Sequence, residues 1–179
     1  MLGVSSGAVL ALDAAAALPG VTRVVACEPP LSDQPQDHVD AHVTDVEAHP
    51  VAGRNGAAVA AFLDDVGMPR QMLALLRLTP AWRKLTASAP TMPHDLPLIA
   101  ECLRDGHQRR WGHRRRSRPG AGRRQEPQAM RAASADVARS VPTAGYQTLP
   151  GQTHMVKPKV LAPVTAAFLT GRDAQAASR

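Results

Sequence analysis

The feature that most limits what this chain can fold into is a stretch with almost nothing to bury. RDGHQRRWGHRRRSRPGAGRR, residues 104–124, holds nine arginines and one acid, Asp105. Only Trp111 and Ala121 are apolar in it. It shows neither the 2.0 nor the 3.6 period, and neighbouring arginines repel. Pro119-Gly120 breaks any helix. A fold must therefore be assembled from what lies on either side, with 101–126 expected to be a solvated, disordered basic segment. Three readings of it stay open. It could be an arm for RNA or DNA, with Trp111 for stacking. It could be a plain charged loop. It could be coding sequence translated out of frame, since GC-rich DNA read so tends to yield Arg, Pro and Gly.

The net charge of +6 belongs to that segment, whose own sum is +8. The remainder is slightly acidic, so nucleic-acid binding by the whole protein does not follow from composition. The 179 residues suit one domain. Aromatics are only 3%, so the core rests on Ala, Val and Leu. Cys27 and Cys102 match no metal spacing and no disulfide framework, and read as two buried thiols in a reducing compartment. Residues 8–18 are apolar but carry Asp13 and follow no basic residue, so they read as a helix of a cytoplasmic protein rather than an export signal. No apolar run reaches the ~18 residues that span a bilayer.

Elements alternate on both flanks. A helix is predicted over 6–18, ended by Pro19-Gly20. Residues 21–27, VTRVVAC, suit a parallel strand buried on both faces. Residues 32–50 are polar and rich in Pro, His and Asp, and read as a loop. Helices follow over 53–66, with Val59, Phe62, Leu63 and Val66 on one face, over 70–77, and from Pro80 to about Ala87. Three prolines make 90–100 irregular. Beyond the basic stretch come a helix over 128–140, a strand over 144–149, a turn at 150–154 and a last helix from Pro158 to Leu169, capped by Gly171. The pattern argues for an α/β class with a helical insertion.

Two motifs carry chemistry. Gly3-Val4-Ser5-Ser6-Gly7 fits G-x-S-x-G directly before a helix. A serine on a sharp strand-to-helix turn projects its Oγ, and glycines two before and two after leave room for backbone. The helix N-terminus favours a developing oxyanion, to which the Ser6 amide can donate. Residues 146–154, YQTLPGQTH, place His154 in a turn between a strand and the closing helix. There it could take the Ser5 proton and return it to a leaving group. His38, His42 and His49 sit in the polar 32–50 stretch, where a solvated loop is the simpler reading than a metal site. No phosphate loop and no G-x-G-x-x-G occurs.

These motifs lie in a wider likeness. GVSSGAVLALDAAAALPGVTRVVACEPPL resembles the nucleophile elbow, following helix and next strand of the α/β-hydrolase family. GRNGAAVAAFLDDVGMPRQMLALLRLTPAWRKL resembles the helical cap of small hydrolases of that type. AMRAASADVARSVPTAGYQTLPGQTHMVKPKVLAPVTAAFL resembles their last helices, last strand and histidine turn. The resemblance covers roughly 1–100 and 127–171. It implies one incomplete α/β-hydrolase domain over 1–179: a partial fold with a mostly parallel sheet and a helical cap near 53–89. It implies Ser5 as nucleophile, His154 as base, the Ser6 amide as oxyanion donor, and hydrolysis of an ester or related acyl bond without a cofactor. Phe62, Met72 and Trp82 would line the pocket for a small ester-like substrate.

The departures are specific. The family places strands and a second oxyanion amide before the elbow, where this sequence begins. The arginines occupy the place of the penultimate strand. Little or no activity is therefore expected, since half an oxyanion hole forfeits roughly 3–4 kcal/mol of transition-state stabilisation. Two carboxylates fit the acid's place in chain order. Glu28 follows the 21–27 strand, whose scaffold looks intact. Glu126 is nearer the family's usual acid position but closes the basic segment.

Overall fold

In the computed structural model, the structure describes residues 1–31, 35–65, 67–111, 120–123, 128–141, 144–149 and 157–171. It divides into two compact units, one of residues 1–33 with 101–179, the other of residues 34–100.

The first unit is built on four parallel strands: β1 (Leu2–Val4), β2 (Val25–Cys27), β3 (Gly120–Arg123) and β4 (Tyr146–Leu149), side by side in that order. Leu2, Gly3 and Val4 pair with Val25, Ala26 and Cys27, and all four residues of β3 pair with β4. Cys27 pairs with Ala121. Parallel neighbours need long crossovers. Helix α1 (Ser6–Ala17) supplies the first and α8 (Gln128–Ser140) the last. Alanines let α1 approach the sheet closely, and Ala8, Val9, Ala11, Leu12 and Ala15 are buried. The closing helix α9 (Pro158–Thr170) has proline at its first turn and a left-handed Gly171 at its end, at φ 78°. Its Leu161 and Phe168 pack with Val25, Cys27 and Leu149. Arg23 donates to the Phe168 carbonyl and lies over its ring.

Two further helices reach into the basic segment. Helix α6 (Met92–Asp105) runs across the boundary between units, and α7 (His107–Trp111) follows it. The expectation of a disordered stretch over 101–126 is thus corrected wherever it is described. Trp111 is 3% exposed, and β3 takes a place inside the sheet. A strand of Gly, Ala, Gly and Arg has weak strand propensity of its own. Hydrogen bonding to β4 along its full length overrides that. Residues 112–119 and 124–127 lie outside the described residues.

The second unit is helical: α2 (Gln36–Val51), α3 (Asn55–Asp65), α4 (Arg70–Leu76), α5 (Pro80–Ser88), a 3-10 turn at Ala89–Thr91, and the first part of α6. Its core is Val46, Ala58, Val59, Ala89 and Leu96, with Val43, Phe62, Trp82 and Ile99 packed against it. Two expectations fail here. The predicted loop over 32–50 is largely α2, because Val39, Val43 and Val46 keep a helical spacing among the charges, and Val39 and Val46 are buried. The predicted irregular stretch over 90–100 is the 3-10 turn and α6. Pro93 falls in the first helical turn, where no N–H is needed, and α6 continues through Pro97. Val66, expected on the buried face of α3, lies outside the described residues.

Candidate active site

Ser5 stands immediately after β1 and opens α1. Its backbone adopts φ 55°, ψ −127°. Glu28 stands immediately after β2 with φ 52°. Among the described residues these are the two non-glycine residues with positive φ. Such conformations cost about 1–3 kcal/mol each and persist only where the surroundings impose them. The two are neighbours. Val4 pairs with Cys27, and the Ser5 amide donates to the Cys27 carbonyl at 2.9 Å.

The elbow also explains one of its glycines. A Cβ on Gly3 would sit 2.0 Å from the Gly7 carbonyl oxygen and 2.8 Å from the Ala8 Cα. Strand and helix pass too closely for any side chain there. Gly7 differs from expectation: a Cβ on it meets nothing within 4 Å. The turn therefore needs the glycine before the serine, not the one after it. The Ser5 carbonyl accepts from the Ala8 amide at 2.9 Å, starting α1, while its side chain makes no capping hydrogen bond. The hydroxyl is thus not held as a cap. Ser6 opens the helix, where backbone amides point outward and favour negative charge.

Glu28 is 1% exposed. Because all four strands are parallel, Ser5 and Glu28 follow their strands at the same edge of the sheet, the carboxyl edge where such sheets place ligands. His154 follows β4 by five residues and Glu126 follows β3 by three. Both lie outside the described residues.

The expected pocket residues belong to the second unit. Phe62 packs into its core, Met72 is 58% exposed, and Trp82 lines an open cavity of about 490 Å³ with Arg54, Gly56, Arg83 and Thr86. Arg77 lies over the Trp82 ring.

Sequence reasoning missed a polar lock behind the elbow. Asp13 of α1 accepts from Arg110 Nε and Nη2 at 2.8 Å each and from Trp111 Nε1 at 2.9 Å. Arg110 Nη1 also donates to Asp105 at 2.9 Å. Burial alone would raise the Asp13 carboxyl, but the hydrogen bonds from Arg110 and Trp111 and the Arg110 charge hold it below its usual value. Hydrogen bonding to Asp13 holds Arg110 protonated more firmly still. The signal was present in the sequence, a single acid inside an alanine-rich helix, but its partners lie 97 and 98 residues away. Of the basic run, Arg110 is thus engaged within the fold. Among the described residues no helix is long and apolar enough to cross a membrane.

A parallel sheet whose strand leads through a strained serine turn into a helix is the scaffold of a nucleophile-elbow protein. Comparison with solved structures agrees. An α/β hydrolase from Sphaerobacter thermophilus matches with a TM-score of 0.79 and 31% identity over 94% of this chain. The proline iminopeptidase of Mycobacterium smegmatis, at 16% identity and TM-score 0.53, matches over 98% of this chain. MenH from Staphylococcus aureus, at 12% identity and TM-score 0.56, matches over 95%. The latter two show the shared fold. The chain spans 66%, 66% and 65% of these proteins' lengths, respectively. No family model and no curated protein matches it. The chain belongs to the α/β-hydrolase family.

Proposed function

We propose that this chain carries the nucleophile and base of a serine hydrolase acting on an ester or related acyl bond of a small molecule. The observation that carries the reading is Ser5 itself: positive φ between β1 and α1, a hydroxyl not used for capping, and Gly3 forced by the approach of the helix. Ser5 Oγ attacks the carbonyl carbon while its proton passes to His154. The tetrahedral oxyanion is met by the Ser6 amide and the start of α1. His154 then returns the proton to the departing alcohol, leaving an acyl-Ser5 ester that water cleaves by the same route.

Glu28 or Glu126 orients the imidazole. Burial of Glu28 at the end of β2 supports the first. The presence of β3, which the sequence did not lead us to expect, supplies a scaffold for the second.

A fluorophosphonate probe followed by peptide mass spectrometry tests the reading. Labelling is expected on Ser5, absent from Ser5→Ala and strongly slowed in His154→Ala. Glu28→Gln and Glu126→Gln identify the acid by which one slows labelling. Labelling at another residue, or none at Ser5 in the folded chain, overturns the assignment. Salt-dependent RNA or DNA binding that is lost when Arg114, Arg115, Arg116 and Arg118 are replaced by alanine would instead support the nucleic-acid reading.

A further inference from the structure

We propose that the stretch from α4 into α5 docks on an anionic lipid surface, lying on the bilayer rather than crossing it. The observation is a line of exposed apolar side chains in a segment whose charges are all positive. Met72, Leu75 and Leu78 are spaced three apart and are 58%, 67% and 85% exposed. Helical geometry carries this spacing past the end of α4. Arg77 keeps helical backbone angles, and the Leu78 amide donates to the Leu75 carbonyl at 3.1 Å. Residues three apart on a helix share one face. Leu73, off that line, is the residue α4 buries, so the core of the second unit does not use the exposed three. Single exposed leucines are ordinary on a protein surface, whereas a contiguous apolar line marks a place of contact.

The charge of the segment selects the occupant. From residue 66 to residue 94 the sequence holds Arg70, Arg77, Arg83 and Lys84 and no acid. All four are exposed. Among the described residues no carboxylate pairs with them. Arg77 lies over the Trp82 ring, 5.5 Å from its centre, which ties the end of α4 to the start of α5. Apolar side chains accompanied by arginine and lysine match the boundary of an anionic bilayer. Carbon enters the acyl edge, the cations stay with the headgroup phosphates, and their long stems span the difference. Short apolar insertion and a cluster of cations are each weak alone, and together they supply the two signals that reversible anchoring needs. A second copy of the chain fits badly, since it would set four cations against four. Nucleic acid would engage the cations and leave Leu75 and Leu78 in water.

The test is co-sedimentation of the full chain with phosphatidylcholine vesicles, with and without phosphatidylserine. Binding is expected with phosphatidylserine, at least tenfold weaker without it, and weakened by salt. Leu75→Gln with Leu78→Gln leaves the charge unchanged and is expected to lower binding at least tenfold. Arg83→Ala and Lys84→Ala are expected to lower it about fivefold each. The arginines of the basic segment could hold vesicles by charge alone, so the same measurement is made with Arg114, Arg115, Arg116 and Arg118 replaced by alanine. That chain is expected to keep the leucine-dependent binding. Circular dichroism checks that each variant folds, and Leu78→Gln alone, at the most exposed position, serves should the pair unfold. Failure to bind phosphatidylserine vesicles, or binding undiminished by the leucine changes, overturns the proposal. Leucine-dependent binding to an acidic peptide, with none to vesicles, assigns the surface to a protein and overturns it too. Neither result bears on Ser5.

Discussion

Asp13→Ala offers the sharpest test of how the first unit holds together. The aspartate is the acceptor for three donors, and two come from one guanidinium in a bidentate arrangement. Removing it leaves the indole N–H of a Trp111 that is 3% exposed without that acceptor. An unsatisfied buried donor costs about 1–3 kcal/mol. Breaking a fully buried ion pair costs about 3–5 kcal/mol. Here the aspartate and arginine side chains are 20% and 22% exposed, and Arg110 keeps Asp105. Water therefore screens part of the loss, and about 2–3 kcal/mol is expected. For a chain of this size that corresponds to roughly 5–10 °C in melting temperature.

Urea unfolding followed by tryptophan fluorescence measures it. Asp13→Asn, which keeps an oxygen for Trp111 but loses the charge, should fall between the two. The sign with pH is definite. A carboxyl held below its unfolded value of about 3.9 contributes stability above that pH, and the contribution is lost as pH falls through the folded value. The natural chain should lose stability below about pH 4 more steeply than Asp13→Asn. A loss under about 0.5 kcal/mol in Asp13→Ala would refute the reasoning, since surface changes routinely cost that much.

The elbow gives a paired expectation. Gly3→Ala places a Cβ 2.0 Å from the Gly7 carbonyl oxygen, so it should cost roughly 3 kcal/mol or more and abolish labelling of Ser5. Gly7→Ala meets open space in a helix and should be neutral or stabilise by about 0.5–1 kcal/mol; equal damage from both would contradict the crowding argument. Cys102 is fully buried, and burial pushes its thiol up to about 12. Ellman's reagent at pH 8 should therefore react with it slowly in the native chain and rapidly in guanidinium, and fast native reaction would show the site to be open.

Much of the scaffold was legible because its signals are local. The alanine-rich helix after Ser5, the Pro80 and Pro158 starts and the Gly171 stop depend on residues within one or two turns. The serine turn was legible for the same reason. Helix α2 was not, because its His and Asp residues obscured the helical spacing of Val39, Val43 and Val46, of which Val43 and Val46 pack in one core with Ala58 and Val59 of α3. Strand β3 was not, because glycine and alanine have no pattern to read and the strand exists through its pairing with β4.

The sequence by itself determined that a strained serine turn would open a helix: the Gly3 crowding and the Ser5 geometry arise within six residues. It also sets the chain order of the candidate residues, Ser5, then Glu28 and Glu126, then His154. Tertiary structure alone decided that Glu28 stands beside Ser5, that Asp13 finds Arg110 and Trp111, and that two histidines of α2 share Asp65. Those pairings join residues far apart in the chain. The energy that selects them, backbone pairing between strands and desolvated charge contacts, exists only after the sheet and helices have come together.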